Sequence, residues 1–191
     1  MKTVKQIDYV QFEPAHFDRV IELGNRVHGD NYLTAESIKP IYEDSWHNNI
    51  NASWVAILED KVVGFRLTFA ASKWTPSEWC SPELWPFPQE QVCYFKCNTV
   101  DKSIRAHGVG SKLLKRSIEQ AKLQGAKAGL AHIWLASPGN SAYKYFSKNG
   151  GKLVKEHPNR WRHASIHEGY NCPVCEGYCE CVAAEMILPF Q

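Results

Sequence analysis

Two short stretches of this 191-residue chain hold the residue types that do chemistry. In the first, Arg105-Ala106-His107-Gly108-Val109-Gly110-Ser111, glycines interrupt the join between an apolar run ending at Val100 and a helical stripe continuing to Leu123. N–H groups in the first turn of a helix have no intrahelical acceptor, and glycine lets an anion approach the main chain, so the segment is suited to holding phosphate. Its spacing excludes two common phosphate loops. A dinucleotide fingerprint needs glycine where Leu113 stands, and a P-loop needs Gly-Lys-Ser/Thr after four spacers.

The second stretch holds four of the seven cysteines, Cys172, Cys175, Cys179 and Cys181. Cys172-Pro173-Val174-Cys175-Glu176-Gly177 has the form of a zinc-knuckle turn, which presents two thiolates to one ion. A four-cysteine site would have to close within ten residues, tight for tetrahedral coordination, and His163 and His167 offer alternative ligands. Bound metal and free thiols packed in a hairpin both stay open. The odd cysteine count and the lack of an export signal speak against a disulfide framework.

For the glycine loop to work, one strand must deliver the chain to it and a helix must carry the chain away. Residues 91–100 read as that strand, and 108–123 as the helix, with Leu113, Leu114, Ile118 and Ala121 facing inward and Gly125 as the stop. Upstream, residues 4–12 alternate as a first strand, Phe17, Val20, Ile21, Leu23 and Val27 form a helical stripe, and Thr34 caps a second helix running towards Trp46 across Pro40. Residues 53–70 read as a hairpin turning at Glu59, Asp60 and Lys61. Residues 71–90 carry four prolines and three tryptophans and so form a long loop. Trp74, Trp79 and Trp85 make it either an acceptor wall or a hydrophobic cluster over the sheet. A strand over 128–136, a short helix over 140–149 and strands over 152–157 and 182–190 complete the chain. The order predicts one α/β domain over 1–191 with about seven strands and about four helices, carrying a Cys-rich hairpin at about 163–181.

With Arg105, Gly108 and Gly110 at the spacing Arg/Gln-x-x-Gly-x-Gly/Ala, and with this element order around them, the chain resembles the GNAT superfamily of acyl-CoA-dependent N-acyltransferases. The resemblance implies a mixed central sheet whose signature strand splays from its neighbour. It further implies that Asn98, Thr99 and Val100 line the pantetheine arm of acetyl-CoA, that the amides of His107, Gly108, Val109, Gly110 and Ser111 hold the pyrophosphate, and that Arg105 adds charge. The helix after Asn140 is similar to the family's second cofactor motif, placing Asn140 and Ala142 at the arm and Lys148 among the cofactor residues. The position that often holds the family's tyrosine acid is Phe146 here, so the acid passes to a neighbour; Tyr145 is preferred to Tyr143, since a helix cannot point both the same way. Glu90, entering the signature strand, is the first choice of base, with His28 or Asp30 second.

Composition narrows the partners. Lys and Arg number 22 against 20 Asp and Glu, a formal charge of +2 that argues against nucleic-acid binding by bulk charge. No apolar run reaches the 18 or so residues of a membrane span, and the first ten residues alternate rather than forming a signal core, so a cytoplasmic chain without a membrane partner is expected. The resemblance implies an N-acetyltransferase moving acetyl from acetyl-CoA to a primary amine, a small molecule or a peptide, by direct attack. The alternative is an acyl-CoA-binding module with reduced turnover that uses the cysteine hairpin for partner contacts. A zinc-dependent nucleic-acid module has the hairpin as its sole support.

Overall fold

The computed structural model describes residues 5–191. Among them are nine strands: β1 (Asp8–Gln11), β2 (Trp46–His47), β3 (Ile50–Asn51), β4 (Trp54–Leu58), β5 (Lys61–Phe69), β6 (Val92–Val100), β7 (Ala128–Trp134), β8 (Lys152–His157) and β9 (Ala183–Pro189). The α-helices are α1 (Phe17–His28), α2 (Ala35–Asp44), α3 (Val109–Leu123), α4 (Ser141–Lys148) and α5 (Arg162–His167). Seven strands form one sheet in the order β1-β4-β5-β6-β7-β9-β8, and β2 pairs only with β3. The strand expected over 4–12 is confined to β1, and its first residue, Val4, lies outside the described residues.

Local chemistry explains the elements that were expected. Glu59 and Asp60 take φ of +49° and +64°, the left-handed pair that matches a tight turn to strand twist, so Lys61 already belongs to β5. Thr34 Oγ1 accepts from Ser37 N–H at 3.0 Å at the head of α2, a cap worth about 1 kcal/mol. Pro40 lies inside α2 without ending it, because its ring-fixed φ is helical and the loss is confined to local backbone bonding.

The sheet is covered on both faces. Phe65 and Leu67 of β5 pack with Val20, Leu23, Leu33 and Ile38 of α1, α2 and the turn between them. Gly64, just before Phe65 and so on the opposite face of β5, brings the strand so close to α3 that a Cβ would lie 3.3 Å from both Leu113 and Val109. Further along, Phe95, Leu114, Phe146, Met186 and Leu188 form the core beneath α3 and α4.

Two irregularities open the middle of the sheet. Leu67 pairs with Cys97 and Thr68 with Phe95, leaving Lys96 as an extra residue in β6, and a bulge of this kind bends its strand. The parallel ladder of β6 with β7, the one parallel pair in the sheet, runs from Val92↔Ala128 to Phe95↔Ala131 and stops there. β7 continues to Trp134 against β9 alone. Phe95 sits in the crotch of this fork, across Gly129, where a Cβ would meet its ring at 2.1 Å.

The Cys-rich segment differs from expectation. It contains α5 and then, from Glu168 to Val182, no strand, so it is not a β-hairpin. Its side chains do not alternate across two faces; the cysteines turn inward together.

Candidate active site

The glycine loop stands where the sequence places it. Gly108 takes φ +76° and caps α3, whose first intrahelical bond runs from Lys112 N–H to Gly108 O. The N–H groups of Val109, Gly110 and Ser111 therefore have no intrahelical acceptor. No protein atom lies within 4 Å of the point a Gly108 Cβ would occupy, and Arg105, His107 and Gly108 are all exposed. Arg105 is tethered by Nε–H donating to Val100 O at 3.2 Å. Free donors, a helix start and an open approach together make an anion cradle.

This cradle follows directly on the free half of β6. From Lys96 to Val100 the edge of β6 towards β7 has no partner strand. Asn98 Oδ1 is buried without a hydrogen-bond partner. Arg66, opposite Asn98 in β5, is 2% exposed, lies 5.0 Å over the Phe95 ring and leaves its Nε unpartnered. Its Nη2 donates to the Tyr145 hydroxyl at 3.3 Å, and that hydroxyl donates to Gly110 O at 2.7 Å. Burial raises the Tyr145 phenol above its ordinary value, with Arg66 acting in the opposite sense. Phe146, at the position the resemblance associates with a tyrosine acid, is fully buried against Phe95 and Gly151, so it serves packing.

Across β6 lies a second group of polar side chains. His28 ends α1, and its Nε2 is 2.8 Å from Thr99 Oγ1 while its ring rests 4.6 Å from that of Tyr32. Cys97 Sγ lies 3.5 Å from Thr99 Oγ1. Burial raises the Cys97 thiol, but His28 and hydrogen bonds from Thr99 and Tyr32 outweigh it and hold the thiol below its ordinary value. Cys93, by contrast, lies in the core and burial pushes it up to about 12.

The remaining sequence candidates are less central. Glu90 is exposed on the short 3-10 turn before β6 and hydrogen-bonds to none of these groups, whereas His28 reaches Thr99 on the strand. Asn140 caps α4 in the left-handed region with its side chain exposed, the Ala142 amide is already bonded to Ser137 Oγ at 3.2 Å, and Lys148 is exposed in the last turn of α4. Arg66 escapes the sequence reading, although a lone charge inside VVGFRLTFA, a run otherwise uncharged and largely apolar on both faces, is the signal that points to it.

The tryptophan loop forms a hydrophobic cluster. Trp85, Trp74 and Phe87 pack on Val92, Leu130 and Ile187, and the Trp85 indole N–H donates to Glu185 Oε2 at 2.8 Å. His132, His157 and Glu185 converge beneath this loop, but their polar atoms are already paired: His157 Nε2 with Glu185 Oε1 at 2.8 Å, and His132 with Trp79 O and the Tyr94 hydroxyl. This trio is structural.

The four clustered cysteines do meet. Their Sγ atoms all lie within 4.8 Å of one another, and Cys181 Sγ is 3.7 Å from Cys172 Sγ and 3.5 Å from Cys175 Sγ. His163 and His167 lie outside this group, exposed, with their rings tilted against each other at a centroid distance of 4.7 Å.

Comparison with known proteins agrees with this architecture. No curated protein matches the sequence. The chain is similar in structure to Ard1 from Thermoplasma volcanium, with a TM-score of 0.68 at 16% identity over 97% of this chain and 98% of the other. It is similar to the NatC complex bound to Gag peptide and CoA, at 0.68 and 13% over 97% and 99%, and to YncA from Salmonella typhimurium with its cofactor acetyl-CoA, at 0.67 and 15% over 97% and 95%. At these identities the likeness establishes the fold. The family model described as "Acetyltransferase (GNAT) family" matches residues 17–150, spanning α1 through the cradle to the end of α4. The chain therefore belongs to the GNAT family of acetyltransferases.

Proposed function

We propose that the chain transfers the acetyl group of acetyl-CoA to a primary amine, on a small molecule or a peptide, by direct attack of the amine on the thioester. The observation that carries this reading is the row of free amides at the head of α3, set at the end of a strand whose edge is unpaired from Lys96 to Val100. The residues fit the cofactor: the cradle is open at Gly108, and Asn98 Oδ1 and Arg66 Nε are buried polar atoms without partners along the same cleft. Acetyl-CoA, when bound, supplies an activated acyl group and a thiol leaving group. The solved neighbour that holds a peptide supports including peptides among the acceptors.

The chain's own residues have three tasks. The amides of residues 107–111 neutralise diphosphate charge, with Arg105 beside them. Main-chain N–H groups on the unpaired edge of β6 stabilise the oxygen on which negative charge develops. An alkyl ammonium has a pKa around 10.4, so a base must take a proton before attack. His28 is better placed for this than Glu90, because it faces Thr99 on the strand itself. Tyr145, next to Arg66 and the first turn of α3, is the proton donor for the departing thiolate. The reading places the chain in a reducing compartment such as the cytoplasm, in keeping with seven free cysteines. No helix among the described residues is long and apolar enough to cross a membrane.

Phe146 at the usual tyrosine position sustains the alternative of an acyl-CoA-binding module with reduced turnover. Thiol release from acetyl-CoA over a panel of small amines and peptide N-termini separates the two. Steady, amine-dependent release supports transfer, whereas tight CoA binding with no release on any acceptor supports the module.

A further inference from the structure

We infer that Cys172, Cys175, Cys179 and Cys181 bind one zinc ion as a closed tetrathiolate, and that this ion fixes the Gly169–Asn171 strap against the turn that positions His28. The metal site stands on its own geometry; its consequence for the acceptor side rests on the acyltransferase reading above.

A tetrahedral zinc with Zn–S of about 2.3 Å sets its thiolates about 3.8 Å apart. The sulfur separations of 3.7 and 3.5 Å fall at that spacing, and all four sulfurs lie within 4.8 Å of one another. That span suits a single ion. Two irons bridged by sulfide would hold their thiolate pairs farther apart. Four sulfurs fill a tetrahedron, so the site leaves no open position and is structural.

The main chain around the sulfurs is arranged for thiolates. The N–H groups of Val174 and Cys175 are directed at the Cys172 sulfur. Glu180 N–H donates to Cys175 Sγ at 3.4 Å. Gly177, at φ +111°, makes the reversal that lets the second cysteine pair fold back on the first, which is how ten residues suffice. Cys172, Cys179 and Cys181 are buried while Cys175 is partly exposed, leaving one side for metal entry.

Apart from the sulfurs, the segment is held by packing on Trp134, Ala136, Trp161 and Tyr170 and by Cys179 N–H donating to Ser165 Oγ at 2.9 Å. It contains no strand, its buried members are the cysteines themselves, and Val174 and Tyr178 are exposed. Small units without an apolar core depend on such staples. Its strap carries four contacts to the last residue of α1 and the loop after it. Tyr170 O–H donates to His28 O at 3.0 Å, Asn171 N–H to Asp30 O at 3.3 Å, and Asn31 Nδ2 to Gly169 O at 2.9 Å. Gly29 lies so close that a Cβ there would be 2.1 Å from Asn171 O.

The test uses the full chain purified without chelator. Elemental analysis should give one zinc per chain, and exchange for Co(II) should give the visible d–d bands and near-ultraviolet charge transfer of a tetrahedral tetrathiolate. Cys175→Ser should lower zinc retention, and Cys80→Ser, outside the cluster, should not. If the serine variant fails to fold, the native chain answers by mercurial titration, in which zinc release should track four thiols. Hydrogen exchange should quicken about tenfold or more over residues 28–32 once zinc is stripped, while residues 107–111 stay unchanged. A folded chain that takes up neither zinc nor cobalt, one that carries iron, or one whose four thiols are oxidised to disulfides would overturn the site. Unchanged exchange over 28–32 would overturn the strap. These readouts are independent of turnover, so they fail or succeed separately from the transferase reading.

Discussion

Replacing Gly108 and Gly125 with alanine, one at a time, separates backbone strain from ligand contact. Both glycines hold positive φ, +76° and +100°, and neither would bring a Cβ within 4 Å of any protein atom. Each substitution therefore costs only the left-handed conformation, about 1 kcal/mol, and lowers Tm by about 2–4 °C in a chain of this size. Gly125 follows the far end of α3, whereas Gly108 opens the row of free amides. If that row holds diphosphate, Gly108→Ala adds a methyl group where the anion approaches and a shift in the N–H directions, and the dissociation constant for CoA should rise about tenfold or more, a loss of about 1.4 kcal/mol. Gly125→Ala should leave it within twofold. Calorimetric titration of CoA into each variant, alongside thermal unfolding, makes the comparison. Equal CoA affinity in the two variants at equal stability loss would refute the cradle.

Three further outcomes follow from the same geometry. Tyr145→Phe removes the donor to Gly110 O and should lower kcat by about 10- to 100-fold with little change in CoA affinity; because burial raises this phenol above its ordinary value, any alkaline fall in the wild-type kcat that it causes should lie above the usual tyrosine range, and normal turnover in the variant would exclude it as the acid. Arg66→Met should lower kcat about tenfold while sparing Tm, since Arg66 makes few polar contacts within the fold, and an unchanged rate would remove it from the cleft's chemistry. His132 titrates only at about 4, first because it is buried: its Nε2–H donates to Trp79 O at 2.6 Å and its Nδ1 accepts from the Tyr94 hydroxyl at 2.7 Å, a pairing that needs the neutral ring. The folded value lies below the ordinary 6.5, so this stability is complete above 6.5 and is lost as pH falls towards 4, by up to about 3 kcal/mol. Urea unfolding at pH 7, 5.5 and 4.5 should show that slope in the native chain and a flatter one in His132→Gln; parallel slopes would contradict it.

The glycine turn at the head of α3 was legible because it is local. Arg105, Gly108 and Gly110 specify strand end, turn and helix start within a few residues, and the hairpin at Glu59–Asp60 and the cap at Thr34 are likewise short-range. What escaped depends on distant contacts. The bulge at Lys96 exists only against Leu67 and Thr68, so alternation in VCYFKCNTV gave no hint of it. Glu90 stands next to the signature strand along the chain, but only the fold shows α1 returning to bring His28 onto Thr99 while Glu90 stays exposed. The cysteine segment read as a hairpin because it joins two strands; its glycine turns instead gather sulfur, and α5 forms where polar residues and histidines hid a short helix.

The most direct measurement of the central claim is the change in backbone amide resonances of the labelled chain when acetyl-CoA is added. The largest shifts should fall on His107, Gly108, Val109, Gly110 and Ser111, followed by Lys96 to Val100 on the unpaired edge of β6. Saturable binding that leaves those amides unmoved, with its shifts gathered on another face, would contradict the account.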